Sequence, residues 1–259
     1  MKYVLSRDGT GLGYERSGSG PPLLIVGGAL ADHQFYAPLA SALQADFTVV
    51  NFDRRGRGAS GNTQPYEIAR EIEDVAALIA LEARPVFVYG HSAGAALALR
   101  AAAAGIPMAQ LVLADAPFSA RGAQDEEARS AFAAERAQIE MMHARGDFRG
   151  SARFFLASLG VPADEVDGIL ESPLGGSMLD CARALLHDYL LLGDGLVPGG
   201  YPARVQVRTT VIATDAGETA AAQLVAAISD ARMLRVENAA HETAPDDMAA
   251  ALRGVLLGL

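Results

Sequence analysis

The stretch that most constrains this chain is a short apolar run that breaks into glycines around one serine. It spans Val86 to Gly94 (VFVYGHSAG) and continues into an alanine- and leucine-rich helix-forming run from Ala95 to Ala104. This pattern predicts a strand, a tight turn and a helix. The turn fits G-x-S-x-G, in which the glycines two residues before and after Ser92 let strand and helix approach closely. Such a turn lifts the serine hydroxyl above the sheet edge and aims the first N–H groups of the helix at the space before it.

Strands and helices alternate at near-regular spacing around this stretch. Four largely apolar strands are predicted, at residues 23–26, 47–52, 86–89 and 111–114, and the first of them is uninterrupted by any polar residue. Helices are predicted between them, at residues 33–43, 65–81 and 95–104. Strands this apolar are buried on both faces, and the alternation predicts a parallel, doubly wound sheet with right-handed crossovers. Residues 2–5 and 12–16, joined by a turn at Asp8 and Gly9, predict an antiparallel hairpin at one edge.

The alternation stops between residues 118 and 203. Only helical signals occur there, at residues 126–145, 148–159, 162–170 and 178–192. Helices without strands between them cannot belong to the crossover series, so we expect an α-helical cap above the sheet edge to which Ser92 points. The alternation resumes with a strand at 210–214, a helix at 219–229, a strand at 233–236 and a helix at 245–257. We therefore expect a core domain from residues 1–117 and 204–259 and a cap from residues 118–203.

Composition narrows the partners and the compartment. Hydrophobic residues make up 51% of the 259 residues, and the formal net charge is −10 with no basic block. Nucleic acid and membrane surfaces are therefore not expected as partners. Cys181 is the single cysteine, and charges interrupt the first apolar run before a signal-peptide core could form. We expect a cytoplasmic protein that acts on a small molecule, and its oligomeric state is left open.

Three features together resemble the α/β-hydrolase superfamily. The turn around Ser92 resembles its nucleophile elbow, the loop Asp53 to Ser60 (DRRGRGAS) is similar to its D-x-R-G-x-G-x-S loop, and His241 follows the last predicted strand. The arginine-rich loop could also bind phosphate, but it lacks the Gly-Lys-Ser/Thr ending of a P-loop, which favours a structural role. The resemblance, which extends to actinobacterial-type α/β hydrolases, implies a mostly parallel sheet flanked by helices, with an inserted helical cap.

The resemblance also implies the chemistry of a serine hydrolase. A serine hydroxyl is a weak nucleophile until a base takes its proton, and a neutral imidazole suits that task near pH 7. Ser92 would attack an acyl carbon, His241 would move the proton, and the backbone amides of Ala29 and Ala93 would hold the oxyanion. In the superfamily, a histidine usually precedes the loop that supplies the first of these amides, and Gly27 takes its place before Ala29. An ester, thioester or lactone is expected as substrate, and no metal or cofactor is required.

Two aspartates compete to orient His241. In most of the superfamily the acid follows the strand predicted at 210–214, where Asp215 lies, but the usual position is further from the strand end. A minority of relatives carry it after the strand that follows the elbow helix, where Asp115 lies. Actinobacterial relatives with a similar arginine loop tend to have Glu-Pro-Pro there, which Asp115-Ala116-Pro117 resembles. Asp115 is favoured and Asp215 is the alternative.

Two alternatives to hydrolysis stay open at this stage. The superfamily includes receptor-like proteins that keep the pocket and lose turnover, and lyases or isomerases on the same scaffold. His91 is expected to pack behind Ser92, and His33 to pack at a helix N-terminus. The segment Leu185 to Leu190 (LLHDYL) offers apolar bulk with polar tips, His187 among them, that suit the wall of a pocket.

Overall fold

An eight-stranded sheet forms the centre of the computed structural model, which describes residues 1–213, 217–236 and 244–258. The strands are β1 Lys2–Leu5, β2 Gly11–Ser17, β3 Pro22–Val26, β4 Thr48–Phe52, β5 Phe87–His91, β6 Gln110–Ala114, β7 Thr209–Ala213 and β8 Ala231–Arg235. Their order in the sheet is β1-β2-β4-β3-β5-β6-β7-β8. β2 pairs antiparallel with β1 and β4, and all other neighbours are parallel. The predicted mostly parallel sheet with an antiparallel edge is confirmed.

Helices connect the strands and cover both faces of the sheet. They are α1 Ala37–Leu43, α2 Ile68–Ile79, α3 Ala93–Ala103, α4 Asp125–Ala144, α5 Phe148–Ser158, α6 Ala163–Leu170, α7 Gly175–Cys181, α8 Leu185–Leu192, α9 Glu218–Ala227 and α10 Pro245–Leu257. Side chains of β3 alternate between two apolar layers. Leu24 and Val26 belong to the apolar layer that also contains side chains of α2, α3 and α9, whereas Leu23 and Ile25 belong to the layer that contains side chains of α1 and α10. Within the described residues, every helix is too short or too polar to cross a membrane.

Two helix predictions differ most from the structure, and the ends of the others lie within three residues of their predicted positions. The helix predicted from His33 begins at Ala37, because Pro38 has no N–H to donate to the preceding turn. The helix predicted at 178–192 is interrupted by a 3₁₀ turn at Ala182–Ala184, which separates α7 from α8. The carbonyl of Ala184 lies 3.5 Å from the Arg57 guanidinium at this break.

The helices between β6 and β7 form their own apolar cluster. Side chains of α4 to α8 pack together there, with Leu30 from the core as a further member. The two ends of this helical segment meet, because Ser119 donates its N–H to Gly195 and accepts one from Val197, at 2.8 and 2.9 Å. This is the segment for which a cap was predicted, and its separation as a domain stays a prediction.

Candidate active site

The Ser92 turn is strained as the G-x-S-x-G pattern requires. Ser92 has φ 53° and ψ −127°, a backbone conformation that residues with a Cβ rarely adopt. Gly94 lies so close to β3 that a Cβ there would overlap the carbonyl oxygens of Val26 and Gly27. A Cβ on Gly90 would lie 2.7 Å from the Gly94 oxygen. The close approach of strand and helix therefore depends on both glycines.

Three residues that follow neighbouring strands have a positive φ. Among the described residues, the non-glycine positions with positive φ are Leu30 at 52°, Ser92 at 53° and Asp115 at 48°. They follow β3, β5 and β6, which are neighbours in the sheet. The Ser92 N–H donates to Ala114 at 2.9 Å and the Asp115 N–H to Ile212 at 3.0 Å, so these turns continue the hydrogen bonding of the sheet. Strained residues persist where the surrounding structure enforces them and cluster at functional sites.

A cavity of about 260 Å³ lies over these strand ends. Its floor includes Ala29, Ser92 and Ala93, and the helical segment supplies most of its walls. The wall residues from that segment include Ala128, Ala131, Phe132, Glu135, Phe155, Ser158, Leu159, Asp188, Tyr189 and Leu192. A second cavity of about 40 Å³ also reaches Ala29 and Ser92 and is lined by apolar side chains such as Met178. The serine thus lies between a large and a small space.

The peptide group that joins Gly27 and Gly28, just before Ala29, is hydrogen-bonded at both its N–H and its carbonyl. Its Gly28 N–H donates to the Tyr36 hydroxyl at 2.8 Å, and that hydroxyl lies 2.8 Å from Nδ1 of His91. Arg54 donates to the Gly27 carbonyl at 3.2 Å. His91 is buried, and together with Ser92 it lines the smaller cavity.

Gly27 has a steric explanation. A Cβ at this position would lie 2.7 Å from the Tyr36 ring, so the aromatic side chain occupies the space that a histidine would need. Gly27, which differs from the histidine usual in the superfamily, therefore belongs to the packing that holds the Ala29 loop.

The structure brings together four of the six predicted site residues. Ala29, Ser92 and Ala93 share the cavity floor, and Asp115 follows the neighbouring strand. Asp215 and His241 lie outside the described residues, so their roles stay predictions.

The arginine-rich loop is buried and engaged by carboxylates. Arg54, Arg55 and Arg57 are each 1% exposed or less. Arg55 makes a bidentate ion pair with Asp74 at 2.6 and 2.7 Å. Arg54 donates to Glu71 at 2.8 Å. These contacts support the structural role, because the guanidinium groups face carboxylates and not an open anion site.

The charge of Glu71 depends on these arginines. Burial alone would raise its pKa, but the charges of Arg54 and Arg57 and the hydrogen bond from Arg54 hold the pKa of Glu71 at about 2. Glu71 is thus ionised over the physiological pH range.

Asp188 joins the helical segment to the core. Its two carboxylate oxygens accept from Arg54 at 2.8 Å and from Arg57 at 2.7 Å. Asp188 was predicted as a polar tip of the pocket, and it does line the cavity, but its oxygens are occupied by arginines. No local pattern in the sequence predicts this bridge. The available signal was the arginine count, since three arginines in one loop exceed the carboxylates that Glu71 and Asp74 provide.

Within the described part of the chain, neither His143 nor His187 lines the large cavity, although His187 was predicted in its wall. His187 stacks on Tyr66 with ring centroids 3.7 Å apart, and burial lowers its pKa to about 4. His143 packs edge-on against Phe148. His33 was expected at a helix N-terminus, but it lies in the loop before α1, where its Nδ1 is 2.8 Å from a carboxylate oxygen of Asp53. Burial raises the pKa of Cys181 to about 12, so its thiol stays protonated.

One group of side chains among those described has the spacing of a metal site. Asp32, His33 and Asp53 have ligand atoms within 4.8 Å of one another. The Asp53 oxygens accept from the His33 and Ala59 backbone N–H groups, both at 2.7 Å. Asp32 accepts from Ser177 at 2.6 Å. His33 Nδ1 also lies 2.8 Å from Asp53, so all three side chains of this group make hydrogen bonds within the protein.

Comparison with known proteins agrees with this geometry. The sequence model of the alpha/beta hydrolase family matches residues 23–253. An alpha/beta hydrolase from Sphaerobacter thermophilus is 36% identical, with a TM-score of 0.85 over 97% of this chain and 98% of that one. An esterase from Rhodococcus sp. ECU1013 is 22% identical, with a TM-score of 0.70 over 100% and 98% of the two chains.

A further relative matches over a shorter stretch. The hydrolase YraK of Bacillus subtilis is 33% identical over 100 residues, which is 37% of this chain and 37% of that protein. The chain thus spans little more than a third of the length of this relative. Because the family model covers most of the chain and the Sphaerobacter structure matches almost all of it, the protein belongs to the α/β hydrolase family.

Proposed function

We propose that this protein is a serine hydrolase that cleaves a small ester, thioester or lactone through an acyl-enzyme intermediate on Ser92. The observation that carries the proposal is the strained serine turn at the floor of the large cavity. Its backbone conformation presents the hydroxyl to the cavity, and the adjoining N terminus of α3 presents N–H groups without helical partners.

The reaction needs a base, an oxyanion site and a leaving-group proton. His241 takes the proton from the Ser92 oxygen as that oxygen bonds to the acyl carbon, and the amides of Ala29 and Ala93 stabilise the oxyanion. Collapse of the intermediate breaks the bond to the leaving group, which receives the proton from His241. Water then attacks the acyl-enzyme with the same base, releasing the acid and restoring the serine. Asp115 orients the His241 imidazole.

The two cavities favour a small, unsymmetrical substrate. The space of about 260 Å³ accommodates the longer fragment, and the space of about 40 Å³ accommodates a group of methyl size on the other side of the scissile bond. Apolar and aromatic side chains form most of the walls of both spaces, which suits a substrate with carbon chains.

Labelling with a fluorophosphonate probe tests the nucleophile. We expect the wild-type protein and Ser158→Ala to be labelled, because Ser158 lines the cavity but has no elbow turn, whereas Ser92→Ala is not labelled. Ser92→Ala and His241→Ala should each lose more than about nine-tenths of the hydrolysis of p-nitrophenyl acetate, since members of such a unit act together. A folded wild-type protein that binds ester analogues but resists the probe would contradict the proposal in favour of a receptor-like protein.

A further inference from the structure

The large cavity carries an unusual charge for an apolar pocket. Among the described residues that line it, Glu135 and Asp188 are charged, and none is Lys, Arg or His. The two carboxylates differ in their surroundings. Asp188 is neutralised by an arginine on each oxygen. Glu135 has no Lys, Arg or His within ion-pair distance in the described part of the chain, and its hydrogen bond comes from the Tyr189 hydroxyl at 3.4 Å.

The position of Glu135 on α4 makes this charge specific to the cavity. The residues of α4 that line the cavity are Ala128, Ala131, Phe132 and Glu135, a spacing that places them on one face of the helix. The other three members of this face are small or aromatic, and Glu135 is its one charged residue. A half-buried carboxylate on such a face loses hydration without gaining a protein cation.

The surrounding side chains suit a cation. Phe132, Phe155 and Tyr189 bring three aromatic rings to the same cavity. Aromatic faces attract ammonium groups, and an ionised carboxylate hydrogen-bonds to an ammonium more strongly than neutral partners do. An anionic fragment would meet the Glu135 charge with no basic side chain to offset it.

We propose that the longer fragment of the substrate carries a protonated amine, which the Glu135 carboxylate binds while the carbon chain packs against the aromatic wall. A small group on the other side of the ester enters the smaller cavity. This inference rests on the proposed hydrolase function for the position of the scissile bond, and it adds the charge of the substrate.

Matched methyl esters test the proposal with the wild-type protein. The aminocaproic acid methyl ester, methyl heptanoate and monomethyl pimelate share one chain and end in an ammonium, a methyl and a carboxylate group. β-Alanine methyl ester, methyl butyrate and monomethyl succinate repeat the comparison with a shorter chain. We expect kcat/KM for the ammonium-terminated ester to exceed that for the methyl-terminated ester by about tenfold in at least one set, since only the ammonium group makes a charge-assisted hydrogen bond to Glu135. The carboxylate ester should be hydrolysed most slowly.

Glu135→Gln identifies the residue responsible. The ratio of kcat/KM for the ammonium-terminated ester to kcat/KM for the methyl-terminated ester should fall toward one in Glu135→Gln. It should stay at the wild-type value in Glu140→Gln. Glu140 makes the same charge change on the same helix, but it pairs with Arg136 on the exposed side. The inference is overturned if the wild-type protein hydrolyses the methyl-terminated ester as fast as the ammonium-terminated ester in both sets. It is also overturned if the preference for the ammonium-terminated ester survives in Glu135→Gln.

Binding to an inactive variant separates this inference from the proposed reaction. Calorimetry with Ser92→Ala should detect hexylammonium binding that is at least about tenfold tighter than that of hexanoate and is lost when Glu135→Gln is added. If this binding is found and no ester is hydrolysed by the wild type, the hydrolase proposal fails and the amine site stands. If esters are hydrolysed and hexylammonium binds no more tightly than hexanoate, the amine site fails and the hydrolase stands.

Discussion

The strand ends below the cavity and the helices above it are held in place by different means. Ser92 and Asp115 continue the backbone hydrogen bonds of the sheet, so their positions follow from its register. The helices pack on one another, and a small set of polar contacts ties them to the core, with Asp188 held by Arg54 and Arg57 as the most buried. The difference separates two proposed tasks: the backbone at the strand ends positions the catalytic groups, and side chains on the helices bind the substrate.

The largest expected effect tests the strand ends. Asp115→Asn should lower kcat by about 10⁴-fold, because the imidazole would then adopt the wrong tautomer, while Asp215→Asn should have little effect. Steady-state kinetics of the two variants with one ester decides between the acids. A mild effect of Asp115→Asn with a collapse in Asp215→Asn would reverse the assignment.

A smaller effect is expected when the ion pairs between Asp188 of the helical segment and the arginine-rich loop of the core are removed. Asp188→Ala leaves two buried guanidinium groups without this carboxylate and should destabilise the protein by about 3–5 kcal/mol, as breaking a buried ion pair does. Urea unfolding measures the change. Removal of the exposed pair through Glu140→Gln should cost less than about 0.5 kcal/mol.

The result for Asp188→Ala also shows how the helical segment is attached to the core. A loss below about 1 kcal/mol would mean that the apolar cluster, and not the ionic bridge, attaches the helices.

The smallest predicted effect concerns pH. His187 is neutral in its buried stack, with a folded-state pKa of about 4 against an ordinary value of 6.5. Between these values the unfolded chain binds a proton that the folded chain excludes, so stability falls as pH falls from 6.5 toward 4. His187→Phe keeps a ring on Tyr66 and removes this proton. The acid-induced loss of stability between neutral pH and pH 4 should be smaller in the variant by about 3 kcal/mol.

Urea unfolding of both proteins at neutral pH and near pH 4 measures this difference. Equal losses in the two proteins would show that His187 takes up its proton in the folded state, which would mean that the stack on Tyr66 opens to solvent at low pH.

Local sequence signals were sufficient where local physics decides the structure. The apolar strand before Ser92 and the small residues around it leave few conformations other than a strand, a tight turn and a helix, and the structure has that arrangement. The regular alternation of strands and helices likewise predicted the parallel sheet, because buried parallel strands need helical crossovers. The helix predicted from His33 shows the limit, since one proline displaced its start.

Contacts between distant residues were decided by the tertiary structure. Sequence alone determined the fold class, the position of Ser92 in its turn and the helical nature of the segment above it. It did not reveal that Asp188 meets Arg54, because 134 positions separate the two and no local pattern records which carboxylate a buried guanidinium will choose. It also did not single out Glu135 among the acidic residues of α4. Helical periodicity relates the residues of one helix to each other, and only packing against the core selects which face borders the cavity.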